Sequence, residues 1–170
     1  MLDFLFRRLT AEQKRGARLF DAVTRIARHP HWYVEGKIAD TIDGRFAVLA
    51  TVAALVVVRL EQEGARGDAA SVALTERFVE VMEAEHRELG LGDPTLGKTV
   101  RRLVGSLARR TERWRSAICD LSGWIAATRD SLYRDGVAAE ALKHSSDALM
   151  RLWLNLQAND VHSLEEGKLE

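Results

Sequence analysis

The stretch Phe46-Ala-Val-Leu-Ala-Thr-Val-Ala-Ala-Leu-Val-Val-Val58 decides the fold class of this 170-residue chain. Thr51 is its single residue that is not apolar. A helix that is apolar on every side needs neighbours on every side, because each face has to be removed from water. The stretch is also well short of the roughly 20 residues with which a helix crosses a bilayer. We therefore predict a buried central helix that begins among the cap candidates 40–43 and ends near Glu63.

Amphipathic helices are predicted on both sides of this central stretch. In each of them apolar residues recur at steps of three and four, which places them on one helical face. Thr10 and Gln13 form a capping box for the first helix, which should end before Pro30 because residues that precede proline avoid helical backbone angles. The further helices are predicted at 69–89, from Asp93 to a break within 119–123, at 124–134, and after Gly136, with a short helical tail at 160–166.

Loops are predicted where glycine and proline interrupt these patterns. Residues 29–39 are interpreted as an irregular connection, and Gly64 and Gly67 as the two ends of the next loop. Glycines within 90–92 are predicted to stop the helix that precedes Asp93. No segment shows the period-two alternation of a strand, and no internal repeat is present.

The composition fits a helical domain. Hydrophobic residues make up 46% of the chain, which suffices for a core at this length, and prolines number only two. The formal net charge is zero, so we expect no DNA partner, although local basic patches can still bind anions. The single cysteine excludes an intramolecular disulfide. We predict an all-α fold, a compact single-domain bundle of about six helices over 10–170, preceded by a short amphipathic segment at 1–9.

One literal motif points to nucleotide binding. Gly92-Asp-Pro-Thr-Leu-Gly97-Lys98-Thr99 matches the phosphate-loop pattern G-x-x-x-x-G-K-[ST]. That loop works only between a strand and a helix, and residues 75–89 have helical spacing instead. We interpret the motif as a helix stopped by glycine, followed by a helix that begins at Asp93-Pro94. A phosphate-loop protein remains the alternative.

Candidate metal ligands are incomplete in the sequence. Glu83 and His86 have the Glu-x-x-His spacing of di-iron bundles, but such a site needs two of these units. His29-Pro30-His31 offers two imidazoles, and no third ligand presents itself near them. Nothing marks a nucleophile elbow or a catalytic triad. We predict a protein that is not an enzyme, with no metal and no cofactor assigned.

Basic residues dominate one side of the predicted helix that follows Asp93. Between 98 and 115 there are seven basic residues and one acidic residue. The stripe formed by Lys98, Arg102, Arg109 and Arg113 lies opposite the apolar face at 100° per residue. Such a face suits phosphates of lipid or RNA or an acidic partner, or it is simply solvated.

The segment at 1–9 is a second candidate surface. Its apolar residues share one helical side, with Arg7 and Arg8 beside them. A segment of this kind lies in a membrane interface, covers a partner or packs back on the bundle. Its order, apolar and then basic, is the reverse of a secretory signal, so we expect a cytoplasmic protein.

Several of these stretches together resemble the ubiquinol–cytochrome c chaperone family. The first is Trp32-Tyr33, followed by Asp40-Thr41-Ile-Asp43-Gly44-Arg45-Phe46 and Arg59-Leu60. The most specific is Arg87-Glu88-Leu89-Gly90-Leu91-Gly92-Asp93, followed by the basic helix. The resemblance covers nearly the whole chain.

The resemblance implies an all-helical, non-catalytic chaperone that helps to assemble the respiratory cytochrome bc complex. In that family the client is newly made cytochrome b, held at the membrane and ribosome, which implies a location in the cytoplasm, peripheral to the inner membrane. An anionic membrane surface and a small partner subunit are further candidate partners. A generic helical adaptor or membrane-surface protein is the second alternative. The residues that we expect to contribute to docking are Phe4, Phe6, Lys98, Arg102, Arg109 and Arg113.

Overall fold

The computed structural model describes residues 16–88 and 93–169, which form helices and no strand. In chain order these are α1 (16–27), α2 (His31–Val34), α3 (Ile42–Glu61), α4 (Gly64–Glu88), α5 (Asp93–Cys119), a 3₁₀ turn (Leu121–Gly123), α6 (Trp124–Leu132), α7 (Ala139–Ala158) and α8 (Val161–Glu165). The all-α prediction is confirmed. The six longer helices correspond to the predicted ones, although α4 begins earlier than predicted, α8 is the predicted tail, and α2 was not predicted. The predicted capping box at Thr10 and Gln13 lies outside the described residues.

Helix α3 is the centre of the bundle. Every residue from 50 to 60 is buried, and α4, α5, α6 and α7 all pack against this helix. The helix begins at Thr41, whose Oγ1 accepts a hydrogen bond from the Gly44 amide at 3.2 Å. Thr51 is tolerated in the core because its hydroxyl donates to the Ala47 carbonyl at 2.7 Å. The predicted buried central helix is confirmed.

A buried arginine on α3 fixes the end of α7. The Arg59 Nε donates to the Leu156 carbonyl at 3.0 Å, and its Nη2 donates to the Asn159 carbonyl at 2.9 Å. These carbonyls lie at the C-terminus of α7, where the usual i+4 amides are missing, and the Leu156 carbonyl accepts in addition from the Asn159 amide at 3.3 Å. The charge itself is balanced by Glu63, 2.6 Å away and one helical turn further along the chain.

The predicted loop at Gly64 and Gly67 is wrong. Helix α4 already begins at Gly64, which has a positive φ of 62°, so only residues 62–63 connect it to α3. Gly67 lies inside α4 where that helix crosses the end of α3, and a Cβ at Gly67 would lie 1.9 Å from the Leu60 carbonyl oxygen. The glycines therefore allow a left-handed turn and a close approach of two helices, not a long loop.

The predicted irregular connection at 29–39 needs a correction as well. It contains the one-turn helix α2, which begins after Pro30. Trp32 is buried in it, and its Nε1 donates to the Ile26 carbonyl at 2.8 Å. Tyr33 donates from its hydroxyl to the Ala27 carbonyl, also at 2.8 Å. Both side chains thereby fold α2 back onto the end of α1.

The predicted orientation of α5 is confirmed where its side chains are described. Its inward face is buried against the bundle, and the Trp114 ring packs edge-on against Trp124 with 4.8 Å between ring centroids. The buried residues on this face are Val100, Leu103, Leu107, Thr111 and Trp114. In the ranges 16–88 and 93–169, no helix combines the length and the apolar character needed to span a membrane.

The close crossing at Gly67 yields a stability prediction. Gly67→Ala should lower the free energy of unfolding by about 2 kcal/mol, because the new methyl group has to displace backbone at the end of α3. Urea denaturation measures this change. Gly97→Ala on α5 is the matched control, since nothing lies within 4 Å of a Cβ there. It should be neutral or stabilising by roughly 0.5–1 kcal/mol, and equal destabilisation of the two variants would contradict the assignment.

Candidate docking groove

A groove of about 800 Å³ opens between α1, α2, α3, α4 and α5. Its lining includes an apolar set from four helices: Phe20, Phe46, Leu49, Val81, Met82 and Leu103. Behind them lies Phe78, fully buried, whose ring centroid is 6.4 Å from that of Phe20 and 6.0 Å from that of Phe46. The floor of the groove is thus the outer layer of an aromatic cluster that belongs to the core.

Two large apolar side chains stand exposed among the groove-lining residues. Val34, at the end of α2, is 57% exposed, and Ile42, at the start of α3, is 70% exposed. A single exposed apolar residue needs no explanation, but two that line one apolar groove form a contact surface. This arrangement suits the apolar face of another molecule.

The charged residues of the groove differ in how they are paired. Asp40 accepts a hydrogen bond from the Arg45 Nε at 2.6 Å, and this contact holds the pKa of that carboxyl below its usual range. Asp43 forms an ion pair with Arg134 at 3.0 Å. The lining residues that form no ion pair with another described residue are Asp21, Arg28, Glu85 and Arg102.

Two buried polar atoms in the groove lining have no hydrogen-bond partner within the described part of the chain. They are the Thr24 Oγ1 on α1 and the Arg77 Nε on α4. Arg77 is only partly engaged, through its Nη1, with Glu80 at 3.2 Å. A buried donor without a partner costs roughly 1–3 kcal/mol. Both atoms are shielded from solvent, so they are unsatisfied polar atoms inside the wall of the groove and not donors on its surface.

Arg110 lies between the basic side of α5, formed by Lys98, Arg102, Arg109 and Arg113, and Phe46 in the floor of the groove. Its Nε and Nη2 donate to the Ser131 carbonyl at 3.2 and 2.8 Å, and its Nη1 donates to Ser106. Its guanidinium carbon lies 5.9 Å from the centroid of the Phe46 ring. Burial lowers the pKa of Arg110 to about 10, with the charges of Arg113 and Arg109 as further causes, so the group remains charged at neutral pH.

The predicted docking residues lie on α5 or outside the described residues. Lys98, Arg102 and Arg109 are exposed, and Arg102 lines the groove. Arg113 is half-buried, and its Nε lies 3.8 Å from the Asp130 carboxylate on α6. Phe4 and Phe6, together with the rest of the 1–9 segment, fall outside the residues that the structure describes. The structure thus brings Arg102 to the groove, and Lys98, Arg109 and Arg113 lie elsewhere on α5.

The groove itself was not predicted. Its residues are contributed by five helices, and each of them reads locally as part of an ordinary amphipathic pattern. The sequence does carry one usable signal: two large apolar residues, Val34 at the end of α2 and Ile42 at the start of α3, each stand beside polar neighbours. Without tertiary contacts, that signal cannot be distinguished from scattered surface hydrophobics.

The phosphate-loop alternative loses the context that it requires. The element that precedes the motif is helix α4, which runs to Glu88, and the motif continues into helix α5 from Asp93. Lys98 is an exposed residue of α5. Residues 89–92, including the predicted glycine corner, lie outside the described residues. The predicted helices on both sides of that corner are confirmed.

No preassembled group of three metal-ligating side chains occurs in the ranges 16–88 and 93–169. Glu83 is partly buried on α4, and the side chain of His86 is not among those described. His31 contacts His144 on α7, a residue 113 positions away in the chain.

Comparisons with known proteins give one family match and one similar crystal structure. A family model described as "Ubiquinol-cytochrome C chaperone" matches residues 35–158. The crystal structure of the Cbp3 homolog from Brucella abortus is similar over 98% of this chain and 94% of that chain, with a TM-score of 0.76 and 22% sequence identity. At that identity the likeness shows the fold. No curated protein gives a significant match.

The half-buried Arg110 yields the second stability prediction. Arg110→Ala should lower the free energy of unfolding by about 2 kcal/mol, because it removes packed stem atoms and the hydrogen bonds to the end of α6. Arg109→Ala, the exposed neighbour, should change it by less than about 0.5 kcal/mol. Urea denaturation compares the two variants, and similar losses would show that Arg110 is not structural.

Proposed function

This chain belongs to the ubiquinol–cytochrome c chaperone family, and we propose that it assists assembly of the cytochrome bc complex by holding newly made cytochrome b in the groove. The observation that carries this proposal is the exposure of Val34 and Ile42 beside an apolar groove of about 800 Å³. On this proposal the protein acts by binding and release, and not by catalysis.

The chemistry of the groove suits a membrane protein before assembly. Such a client presents helices whose apolar sides would otherwise be exposed to water. A helix is about 10–12 Å across with its side chains, so a groove of this volume receives one helical face, not a whole helix. This is the helix-in-groove mode of recognition, with apolar anchors one turn apart.

The basic side of α5 supports a location close to the membrane. Lys98, Arg102 and Arg109 are exposed and form no ion pair with any described residue. Each cation near an anionic bilayer contributes about 1 kcal/mol of attraction. We propose that this side, with Arg113 and the apolar residues Phe4 and Phe6, keeps the chaperone in the cytoplasm but at the surface of the inner membrane. Ribosomal RNA is a second anionic surface that would suit the same charges.

The exposed pair of apolar residues provides the first test of this function. Combining Val34→Ser with Ile42→Ser should weaken capture of cytochrome b by roughly tenfold or more, since each lost apolar contact contributes up to about 1.5–3 kcal/mol. The measurement is a pull-down from solubilised membranes, with cytochrome b quantified by mass spectrometry. Leu154→Ser is the matched control, because Leu154 is 60% exposed on α7 and does not line the groove.

Three outcomes of this pull-down are informative. Selective loss in the double variant supports the groove as the client site. Equal loss in the Leu154→Ser control would mean that capture is unspecific, as expected for a generic adaptor. No enrichment of cytochrome b by the wild-type protein would refute the proposed client while leaving the family membership intact.

The basic side of α5 is tested separately with anionic vesicles. Reversing the charge at Arg102, Arg109 and Arg113 to Glu should leave the far-UV circular dichroism unchanged. It should weaken binding to phosphatidylglycerol vesicles by at least about tenfold at low salt, because attraction turns into repulsion. Flotation with the vesicles measures the bound fraction.

A control variant carries the same change of net charge at other exposed sites: Arg87→Glu, Lys143→Glu and Lys168→Glu. It should retain most of the vesicle binding if the effect depends on the α5 side. A loss as large as that of the first variant would attribute the binding to overall charge and would remove the proposed surface.

A further inference from the structure

Three histidines from distant parts of the chain meet where α2 packs against α7. His29 and His31 flank Pro30, and His144 lies in the first half of α7. The His31 Nδ1 is 3.0 Å from the His144 Nε2. The ring centroids of His29 and His31 are 5.0 Å apart, and those of His31 and His144 are 5.2 Å apart. The fold thus places a third histidine beside the two that flank Pro30.

The spacing of the two nitrogens fits a shared metal ion. With a Zn–N bond of about 2.05 Å and tetrahedral angles, two imidazole nitrogens on one ion lie roughly 3.3 Å apart. The observed 3.0 Å differs from this by a few tenths of an ångström. Without metal, the same two nitrogens share a hydrogen bond, in which one ring donates and the other accepts. A small separation of the rings therefore converts the hydrogen-bonded pair into two ligands.

The His31 ring is held in place by its surroundings. The Trp32 ring lies against it with 4.3 Å between centroids, and Trp32 is itself fixed by its hydrogen bond to the Ile26 carbonyl. The Gly36 amide donates to the His31 carbonyl at 2.9 Å and closes the turn of α2. His144 lies on α7, and the residue that follows it, Ser145, is fully buried. Rigid support of this kind favours metal binding because little order has to be created when the ion binds.

We propose that His31 and His144 are the two fixed ligands of a site for a divalent transition metal ion of the Zn²⁺ class, with His29 as a third ligand. His29 is exposed and reaches the ion by rotation of its side chain, which is why the three ligands are not preassembled in the described structure. Imidazole is a favoured ligand of Zn²⁺, Cu²⁺ and Ni²⁺, and water completes the coordination.

A metal ion at this position would join α2 to α7. Helix α2 and the residue before it also line the groove, through Pro30, Tyr33 and Val34. Binding would therefore restrain one wall of the groove from its outer side. The site proposal does not depend on the identity of the client, because it concerns only the three histidines and the ion.

The test uses Zn²⁺ with the full-length protein. Competition with a chromophoric chelator at pH 7.5 gives the dissociation constant, and thermal unfolding gives the shift in Tm. At a free zinc concentration of about 100 times Kd, the wild-type Tm should rise by roughly 5–10 °C. His144→Ala should abolish this shift and weaken zinc binding by at least about tenfold, as loss of a ligand does. His29→Ala, at an exposed position, should weaken binding less.

His162→Ala is the matched control, since His162 is exposed on α8 and belongs to no histidine cluster among the described residues. It should bind zinc like the wild type. Unchanged affinity in His144→Ala would overturn the proposal, and unchanged affinity in His29→Ala would remove His29 from the proposed ligands. A second measurement needs no variant, because electron paramagnetic resonance of the Cu²⁺-loaded wild type reports the bound atoms. Coupling to two or three imidazole nitrogens is expected, and an oxygen-only spectrum would overturn the site.

Discussion

The enclosure of α3 is the constraint on which the rest of the structure depends. Its residues from 50 to 60 are buried on all sides, so the chain has to supply a helix for every face. The enclosure is incomplete only near the beginning of α3, where Phe46 and Leu49 are half-buried and Ile42 is largely exposed. The groove lies at this gap. The same apolar helix therefore organises the core and provides part of the surface that we propose for the client.

Charge is distributed unevenly although the net charge is zero. The exposed cations of α5 form a basic side, and Arg110 lies half-buried beside them without a carboxylate within hydrogen-bonding distance among the described residues. Its charge is stabilised by carbonyl groups and by the Phe46 ring instead. Removal of positive charge from this region would therefore relieve repulsion around Arg110. An anionic surface that approaches α5 would have the same effect, which gives a physical reason for such a surface to bind there.

The sequence predicted what periodicity determines and missed what depends on contacts between distant residues. The burial of α3 and the inward face of α5, from Val100 to Trp114, follow from spacing alone. Gly67 was assigned to a loop because a glycine at a helix crossing and a glycine in a turn look alike in a single sequence. Helix α2 was missed because four residues show no helical period. The groove and the contact of His31 with His144 were missed because their residues come from separate helices.

Helix α2 shows how far the groove depends on distant residues. A single turn has no stability of its own, because nucleation of a helix is unfavourable. Its position follows from hydrogen bonds to α1, through Trp32 and Tyr33, and from the Tyr133 hydroxyl, which donates to the Gly36 carbonyl at 2.7 Å. His31 adds the contact with α7. Since α2 carries Val34 to the groove, the position of this wall depends on the contacts that Trp32, Tyr33 and His31 make with α1 and α7.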